Sequence, residues 1–341
     1  MKRSIIFILL VLNTSSLWAQ DKGLYTPKEI QQAYENGTRS TTGAPGAHYF
    51  QNHSDYVINA EFDPKTGILH GSETITYANN SPDSLKSLAL KLNQNLYKKG
   101  MKRDYVVPAA DLHDGMNVTQ LVYNGKAMET TSGLKVQRDL GTIQLIALPN
   151  PILPEKEATL KIQWEVQLPQ EISFRFGEYG DNNWFVAYWY PQVAVYDDIN
   201  GWHLRPWTGR EEFYNDHSDY QVELTVPDDY MVWATGVLEN PDSHYQPHIL
   251  KRINQARASD SVIQIVKKQD VEQEEVVSGN TSWTYTASDV PDFAFAVSKK
   301  YRWDATSVDL EKSDRQRVFV SAIYGEDPKM FQHAADMGRK V

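Results

Sequence analysis

Residues 55–77 read DYVINAEFDPKTGILHGSETITY. In the first part of this stretch apolar and polar side chains alternate, and the apolar ones that share a face are Tyr56, Ile58, Ala60 and Phe62. A period of two predicts a half-buried strand. The proline and glycine of residues 63–67 supply the dihedral angles of a turn. The stretch therefore predicts a β-hairpin whose second strand covers residues 68–77.

Further strand-like runs follow at short spacing. They cover residues 85–92, 118–123, 142–148, 158–168, 220–226, 231–235, 281–287 and 293–297. Asn124-Gly125 is the strongest short hairpin signal in the chain, and Pro149, Pro151 and Pro154 predict a rigid connection. No repeat of fixed period is present. The fold class that we predict is mainly β, a large saddle or sandwich of antiparallel and mixed sheets.

Two segments depart from the β pattern. Residues 25–37 have helical spacing after Pro27, and residues 40–45 read as a linker. The second segment begins at Asp327-Pro328, and its apolar residues at helical spacing are Met330, Phe331, Ala334, Ala335 and Met337. Because the chain ends inside this apolar helix, we expect the domain to continue beyond Val341.

The first residues have the pattern of a secretory signal peptide. Lys2 and Arg3 precede an apolar run at residues 5–12, and cleavage is expected after Ala19. The run is shorter than the roughly 20 residues that span a bilayer, and no second one follows, so no membrane span is expected. The predicted location is periplasmic or extracellular. Since the sequence contains no cysteine, a packed core rather than disulfides must hold the fold.

The net charge of the chain indicates which kinds of partner it can bind. The formal net charge is -10, which argues against nucleic acid as a partner because phosphate binding requires basic patches. The 341 residues suffice for about two domains, or one large β domain with an appendage.

An aromatic segment at residues 184–198 reads WFVAYWYPQVAVYDD. Its large side chains, together with the tryptophans that follow it, favour a core between sheets, filled by Trp184, Tyr190, Trp202 and Trp207. In that reading Arg205 and Arg210 brace the loop by pairing with Asp198 or Glu212. The adjacent acidic pairs, Asp197-Asp198 and Glu211-Glu212, favour turns or a solvated rim over a glycosidase site, since neighbouring residues of a strand point to opposite faces.

The order of several segments resembles that of M1-family zinc metallopeptidases, the aminopeptidase N-like and leukotriene A4 hydrolase-like enzymes. The segments are residues 69–80, the Leu-rich strand at 85–92, residues 189–198, residues 220–227 with Ala234-Thr235-Gly236, and residues 290–296. The resemblance covers roughly residues 48–341. It implies four regions: a signal peptide at 1–19, an arm and linker at 20–47, the amino-terminal β domain at 48–300, and at 301–341 the incomplete beginning of an α+β thermolysin-like catalytic domain.

The catalytic motifs of that family are missing from this sequence. A His-Glu-x-x-His helix holds zinc in these enzymes, and its Glu activates the metal-bound water. The nine histidines here are instead scattered, and only His244 and His248 have a spacing of four, with Pro247 between them. We therefore expect zinc in the full-length protein, no metal bound by this chain, no catalytic residue in it, and no activity of the fragment alone.

The resemblance also implies a substrate-binding role for the aromatic segment. In M1 enzymes the corresponding loop faces the cleft and supplies a Gln or Glu to the amino group of the peptide. The residues that stand there in this chain are Tyr188, Trp189 and Gln192.

Two functions remain open from the sequence. The first is the front portion of an exported zinc aminopeptidase that removes residues from peptide amino ends. The second is a complete exported β-rich module that binds peptides or sugars, or acts as a scaffold, without catalysis. A reading frame that continues past Val341 into a His-Glu-x-x-His motif would distinguish them.

Overall fold

The computed structural model describes residues 25–128, 136–171, 176–309, 317–325, 331 and 333–340. The predicted signal peptide lies outside these residues. The chain divides between Tyr49 and Phe50 into two compact units. In the first unit the predicted short helix is confirmed as α1 (Lys28–Glu35). After this helix, the Nδ1 atom of His48 lies 3.0 Å from the carbonyl oxygen of Asn36.

The second unit consists mainly of strands, which confirms the predicted fold class. Its first ten strands are β1 (His53–Asp63), β2 (Ile68–Asn79), β3 (Leu85–Lys91), β4 (Asn117–Tyr123), β5 (Lys126–Ala127), β6 (Val136–Asp139), β7 (Ile143–Ile152), β8 (Lys156–Gln167), β9 (Gly177–Glu178) and β10 (Trp184–Val186). The next six are β11 (Gln192–Val193), β12 (Tyr196–Asp197), β13 (Gly201–Trp202), β14 (Ser218–Thr225), β15 (Met231–Ala234) and β16 (Val237–Leu238). The last five are β17 (Ile263–Val266), β18 (Ser282–Val290), β19 (Phe295–Ser298), β20 (Arg302–Val308) and β21 (Val318–Tyr324).

Among the described residues of this second unit there are three helices. They are α2 (Pro247–Arg257), α3 (Lys268–Glu272) and α4 (Ala334–Lys340), and short 3-10 turns cover Asn93–Tyr97, Ala109–Asp111 and Pro241–Ser243. Helix α4 confirms the later part of the helix predicted from Asp327, whereas residues 327–330 lie outside the described residues. Within the part of the chain that is described, none of the helices has the length and apolar character needed to span a bilayer.

An eight-stranded sheet forms the larger layer, in the order β16-β18-β14-β1-β2-β8-β4-β5. Its pairs are antiparallel except for β1 and β14, which run parallel with Asp55 opposite Asp219. The predicted hairpin at residues 55–77 is confirmed, since β1 and β2 pair from His53–Ala78 to Asp63–Ile68. The sheet is therefore mixed, as expected.

Smaller sheets cover the inner face of the large one. They have the orders β15-β19-β10-β9 and β11-β3-β7-β6, and two others are β12-β13 and β17-β20-β21. Phe62 of β1 meets Trp184 of β10 and Phe295 of β19, with ring centroids 5.3 and 5.9 Å away. Alternation in β1 thus directs its apolar side chains into a core shared with the second layer.

The Asn124-Gly125 turn is confirmed between β4 and β5. Tyr123 pairs with Lys126, and both turn residues have positive φ, 46° for Asn124 and 79° for Gly125. These are the left-handed conformations that a two-residue hairpin requires, and Asn and Gly adopt them most readily.

The expected proline connection is wrong in its position. Strand β7 does not end near Leu148 but continues through Pro149 and Pro151 to Ile152. Ile152 pairs with Leu85 of β3, and the register shifts between Leu85 and Ser87. Such an irregularity accommodates prolines, which cannot donate to the hydrogen-bond ladder.

One acidic side chain lies inside the core. Glu73 of β2 is only 3% exposed, on the face that carries Leu69 and Ile75. Neither of its carboxylate oxygens has a hydrogen-bond partner among the described residues. Burial raises the pKa of Glu73 well above its usual range, because the apolar surroundings favour the neutral form of the carboxyl group.

Candidate functional site

The aromatic segment turns sharply between β10 and β11. Tyr188 lies at this turn with φ 60°, which is uncommon for a bulky residue. Its half-buried ring is enclosed by other aromatic rings, with centroids at 4.3 Å for Phe213, 5.2 Å for Trp207 and 5.5 Å for Phe176. These contacts hold a backbone conformation that would otherwise be unfavourable, and such positions are frequent at functional sites.

Trp189 points the other way, into the core. It is fully buried, and its Nε1 atom donates a hydrogen bond of 3.0 Å to the carbonyl oxygen of Phe293. Its own carbonyl oxygen accepts one of 3.2 Å from Nε1 of Trp164. Trp189 therefore connects β8 with the segment that precedes β19.

Gln192 lies in a buried polar network. Its Nε2 atom donates to the carbonyl oxygen of Pro291 at 3.2 Å and to the Tyr190 hydroxyl at 3.4 Å. Tyr190 donates in turn to Asp292 at 2.8 Å, and the Tyr190 and Tyr220 hydroxyls are 3.0 Å apart. Burial raises the pKa of Asp292, although its hydrogen bond from Tyr190 acts in the opposite direction. The Gln192 side-chain N–H groups are thus engaged within the protein.

The three predicted substrate-binding residues are therefore placed differently. Tyr188 keeps part of its surface accessible, whereas Trp189 and Gln192 are buried. Their role in binding a peptide remains a prediction. Of the four aromatics proposed as core, Trp184, Tyr190 and Trp207 are buried, and Trp202 is partly exposed.

Lys91 is a buried cation behind the aromatic segment, which the sequence analysis missed. It is 4% exposed, and its Nζ atom donates to Oδ1 of Asn215 at 2.5 Å and to the carbonyl oxygen of Tyr214. Burial lowers the pKa of Lys91 to about 8, and the charges of Asp216 and Asp292 partly offset this effect. Burial likewise raises the pKa of Asp216 to about 6. Lys91, at the end of β3, thus holds residues 214–215 in place through these hydrogen bonds.

We expect substitution of Lys91 by methionine to loosen this loop. A hydrogen bond to a charged group contributes about 1.5–3 kcal/mol, so amide hydrogen exchange across residues 203–216 should accelerate by about tenfold or more. Hydrogen–deuterium exchange with mass spectrometry measures this. Lys86→Met is the matched control, because Lys86 is exposed on the same strand. Equal exchange in the two variants would contradict the anchoring role.

A small cavity adjoins Lys91. Its volume is about 120 Å³, and its lining includes Asn93, His203, Arg205 and Glu211. At about 30 Å³ per water it has room for a few water molecules, which is far less than a peptide side chain and backbone require.

One member of each adjacent acidic pair, Asp197 and Glu211, has structural contacts. Asp197 accepts hydrogen bonds from the backbone N–H groups of Ile199 at 3.0 Å and Asn200 at 2.6 Å, which forms the turn between β12 and β13. Arg205 pairs with Glu211 at 3.4 Å, rather than with either of the partners predicted for it. The loop is braced as expected, but through a different carboxylate.

A larger apolar groove lies away from the aromatic segment, near β15, α2 and β21. Its volume is about 910 Å³. The described residues that line it are Trp233, Ala234, Gly236, Val237, Leu238, Pro241, Tyr245, Ile253, Arg257, Tyr285, Trp303, Arg317, Phe319, Ser321 and Ile323. This lining contains no carboxylate and no imidazole, and its titratable side chains are those of Tyr245, Tyr285, Arg257 and Arg317.

The histidine pair with a spacing of four is not on one helix. Helix α2 begins at Pro247, which suits the first helical position, and His244 lies before it. The His244 ring stacks on Trp283 with a centroid distance of 4.1 Å, whereas Nε2 of His248 lies 3.4 Å from Asp270. Among the described residues, one group offers three potential metal ligands close together, namely His53, Asp55 and Asp219, and it lies on β1 and β14.

Comparison with known proteins gives matches among solved structures. No protein-family model matches the sequence, and no curated protein does. The M1 zinc metallopeptidase from Deinococcus radiodurans is similar at 15% identity with a TM-score of 0.46, over 86% of this chain and 53% of that one. A mutant of that enzyme is similar at 15% identity with a TM-score of 0.45, over 87% of this chain and 54% of that one.

A third match is the same mutant bound to a Tyr-Ser-Ala substrate. It is similar at 14% identity with a TM-score of 0.45, and the match covers 87% of this chain and 54% of that one. The chain thus spans about half the length of these solved structures.

Proposed function

We propose that this chain is the amino-terminal, non-catalytic portion of an exported M1-like zinc aminopeptidase that removes residues from peptide amino ends. The sequence resemblance at residues 48–341 suggests the family, and the signal-peptide pattern at residues 1–19 supports export.

One structural observation carries the proposal: the separate segments that resemble the family pack on one another around the aromatic segment. Trp189 is hydrogen-bonded to Phe293 of the 290–296 segment, and Tyr190 to Tyr220 of the 220–227 segment. The ring of Trp189 also meets that of Phe295, with centroids 5.4 Å apart. Segments that are distant in sequence therefore form one continuous piece of structure.

The polar groups around the aromatic segment do not fit a catalytic zinc site. Gln192 and Lys91 are buried, Asp292 is partly buried, and all three are hydrogen-bonded to groups of the chain. Zinc ligands and a water-activating Glu of the His-Glu-x-x-His type would belong to residues outside this sequence, and no catalytic step is assigned to this chain.

Tyr188 is the residue that we place against the substrate. Its ring is partly accessible, and its left-handed backbone conformation is held by neighbouring rings. Trp189 and Gln192 follow Tyr188 in the chain and are buried, and they act as positioning residues for it.

The test begins with the coding sequence downstream of the Val341 codon. We expect it to continue in frame into a His-Glu-x-x-His motif, and the protein from the whole reading frame should hydrolyse aminoacyl p-nitroanilides in a chelator-sensitive way. The 341-residue chain alone should be inactive. A stop codon directly after Val341 would favour the binding or scaffold module. Chelator-sensitive hydrolysis by the 341-residue chain would show that a catalytic site lies within it.

A further inference from the structure

A cluster of potential metal ligands lies on the solvent-facing side of the eight-stranded sheet. His53 and Asp55 are two residues apart on β1, so both side chains point to the same face. Asp219 of β14 lies directly opposite Asp55, because β1 and β14 pair in parallel register. One imidazole and two carboxylates thus meet at one place, from distant parts of the sequence.

The distances within the cluster suit a small cation. Nε2 of His53 is 3.3 Å from Oδ1 of Asp55 and 3.8 Å from Oδ2 of Asp219. One ligand atom from each residue lies within 4.8 Å of the other two. In a tetrahedral site with metal–ligand bonds of about 2.0–2.1 Å, neighbouring ligands are about 3.3–3.4 Å apart. Small side-chain adjustments would therefore place all three on one metal ion and leave a position for water.

Asp219 is already oriented for such a role. Its Oδ1 atom accepts a hydrogen bond of 2.8 Å from the backbone N–H of Asp289, which leaves Oδ2 turned towards His53. Asp289 has φ 57°, and the register between β14 and β18 shifts between Ser218 and Tyr220. In metal sites, the ligating carboxylates are commonly oriented by hydrogen bonds from neighbouring groups.

The charges at this place also favour a cation. Like charges directly opposite each other on paired strands are destabilising, and Asp55 and Asp219 are such a pair. Asp289 adds a third carboxylate, whose Oδ1 atom is 3.0 Å from Nδ1 of His217. Within the described ranges, no Lys or Arg forms a salt bridge with any of these three carboxylates.

We propose that His53, Asp55 and Asp219 form a binding site for a divalent transition-metal ion of the zinc class, which links β1 to β14. The imidazole ligand favours zinc over calcium or magnesium, which prefer oxygen ligands alone. This site is independent of the proposed peptidase function, and its metal is separate from a catalytic zinc. It would be an exception to the expectation that the chain binds no metal.

The test is titration of the metal-free 341-residue chain, without a polyhistidine tag, with zinc chloride alone by isothermal titration calorimetry. We expect one zinc ion per chain, a higher melting temperature on binding, and affinity for zinc at least about tenfold above that for calcium. Asp219→Asn should weaken zinc binding by at least about tenfold. His53→Gln is the second variant, in case the first does not fold.

The matched control is His70→Gln. His70 and Glu165 form another exposed pair on the same face of the same sheet, with Nδ1 and Oε2 3.2 Å apart. This pair is not part of the three-ligand group, so zinc binding should be unchanged. The proposal is overturned if zinc does not bind, if Asp219→Asn and His53→Gln bind it as tightly as the parent chain, if His70→Gln weakens binding equally, or if calcium binds more tightly than zinc.

Discussion

Substitution of Glu73 by methionine is expected to stabilise the protein by about 2 kcal/mol at pH 8. Glu73 is 3% exposed, and neither of its oxygens has a partner among the described residues. A buried polar group without a hydrogen bond costs about 1–3 kcal/mol, and methionine fills a similar volume without that cost. Urea denaturation followed by tryptophan fluorescence measures the difference.

The stabilisation by Glu73→Met should increase with pH. The folded-state pKa of Glu73 is raised, so the folded protein keeps a proton that the unfolded chain releases above about pH 4.3. The contribution of Glu73 to stability is therefore most favourable below this pH, and it falls by up to about 1.4 kcal/mol per pH unit until the folded-state pKa is passed. The Glu73→Met variant should lack this contribution, so its advantage should be larger at pH 8 than at pH 4.5.

Glu61→Met is the matched control, because Glu61 lies on the exposed face of the neighbouring strand. It should change stability by no more than about 0.5 kcal/mol at either pH. If Glu73→Met destabilised the protein at pH 8, the carboxyl group would have to make an interaction that the described structure does not contain.

Substitution of Trp189 by alanine should destabilise the protein by about 3–5 kcal/mol, as is typical of large buried aromatics. The side chain is fully buried, and the change would remove its hydrogen bond to Phe293 and its packing on Tyr190, whose ring centroid is 5.2 Å away. The melting temperature and the denaturant midpoint of the purified chain report this loss.

Phe185→Ala is the control within the same segment, since Phe185 is 38% exposed. Its effect should be less than half that of Trp189→Ala. If Trp189→Ala left the midpoint unchanged, Trp189 could not be a core residue, and a direct contact with peptides would regain support.

The strands were predictable where local pattern decides them. Alternation at residues 55–62 and the Asn124-Gly125 turn depend on neighbours in sequence, and both are confirmed. The prolines of β7 led to a wrong prediction because their effect depends on the partner strand β3, where the register shift between Leu85 and Ser87 accommodates them. Helix α2 was not predicted, because Pro247 was considered only as an interruption between His244 and His248, whereas it is the first helical residue.

The candidate site was only partly predictable. The sequence located the aromatic segment, but it grouped Tyr188, Trp189 and Gln192 by adjacency, although the turn at Tyr188 separates an accessible ring from two buried side chains. Lys91 directly follows the apolar run Leu88-Ala89-Leu90 of β3, and this break in the pattern was the available signal. Its partners at residues 214–216 are distant in sequence, so no local rule could have identified them.

The parallel pairing of β1 with β14 has a consequence for how the chain acquires its structure. β1 can form a hairpin with β2 as soon as both have been synthesised, but its other edge must wait for residues 218–225. At synthesis rates of about 5–20 residues per second this delay is on the order of ten seconds, during which an unpaired strand edge is open to wrong partners. Folding should therefore be slow and dominated by a late long-range step, and nascent or proteolysed chains that end before residue 218 should be prone to aggregation.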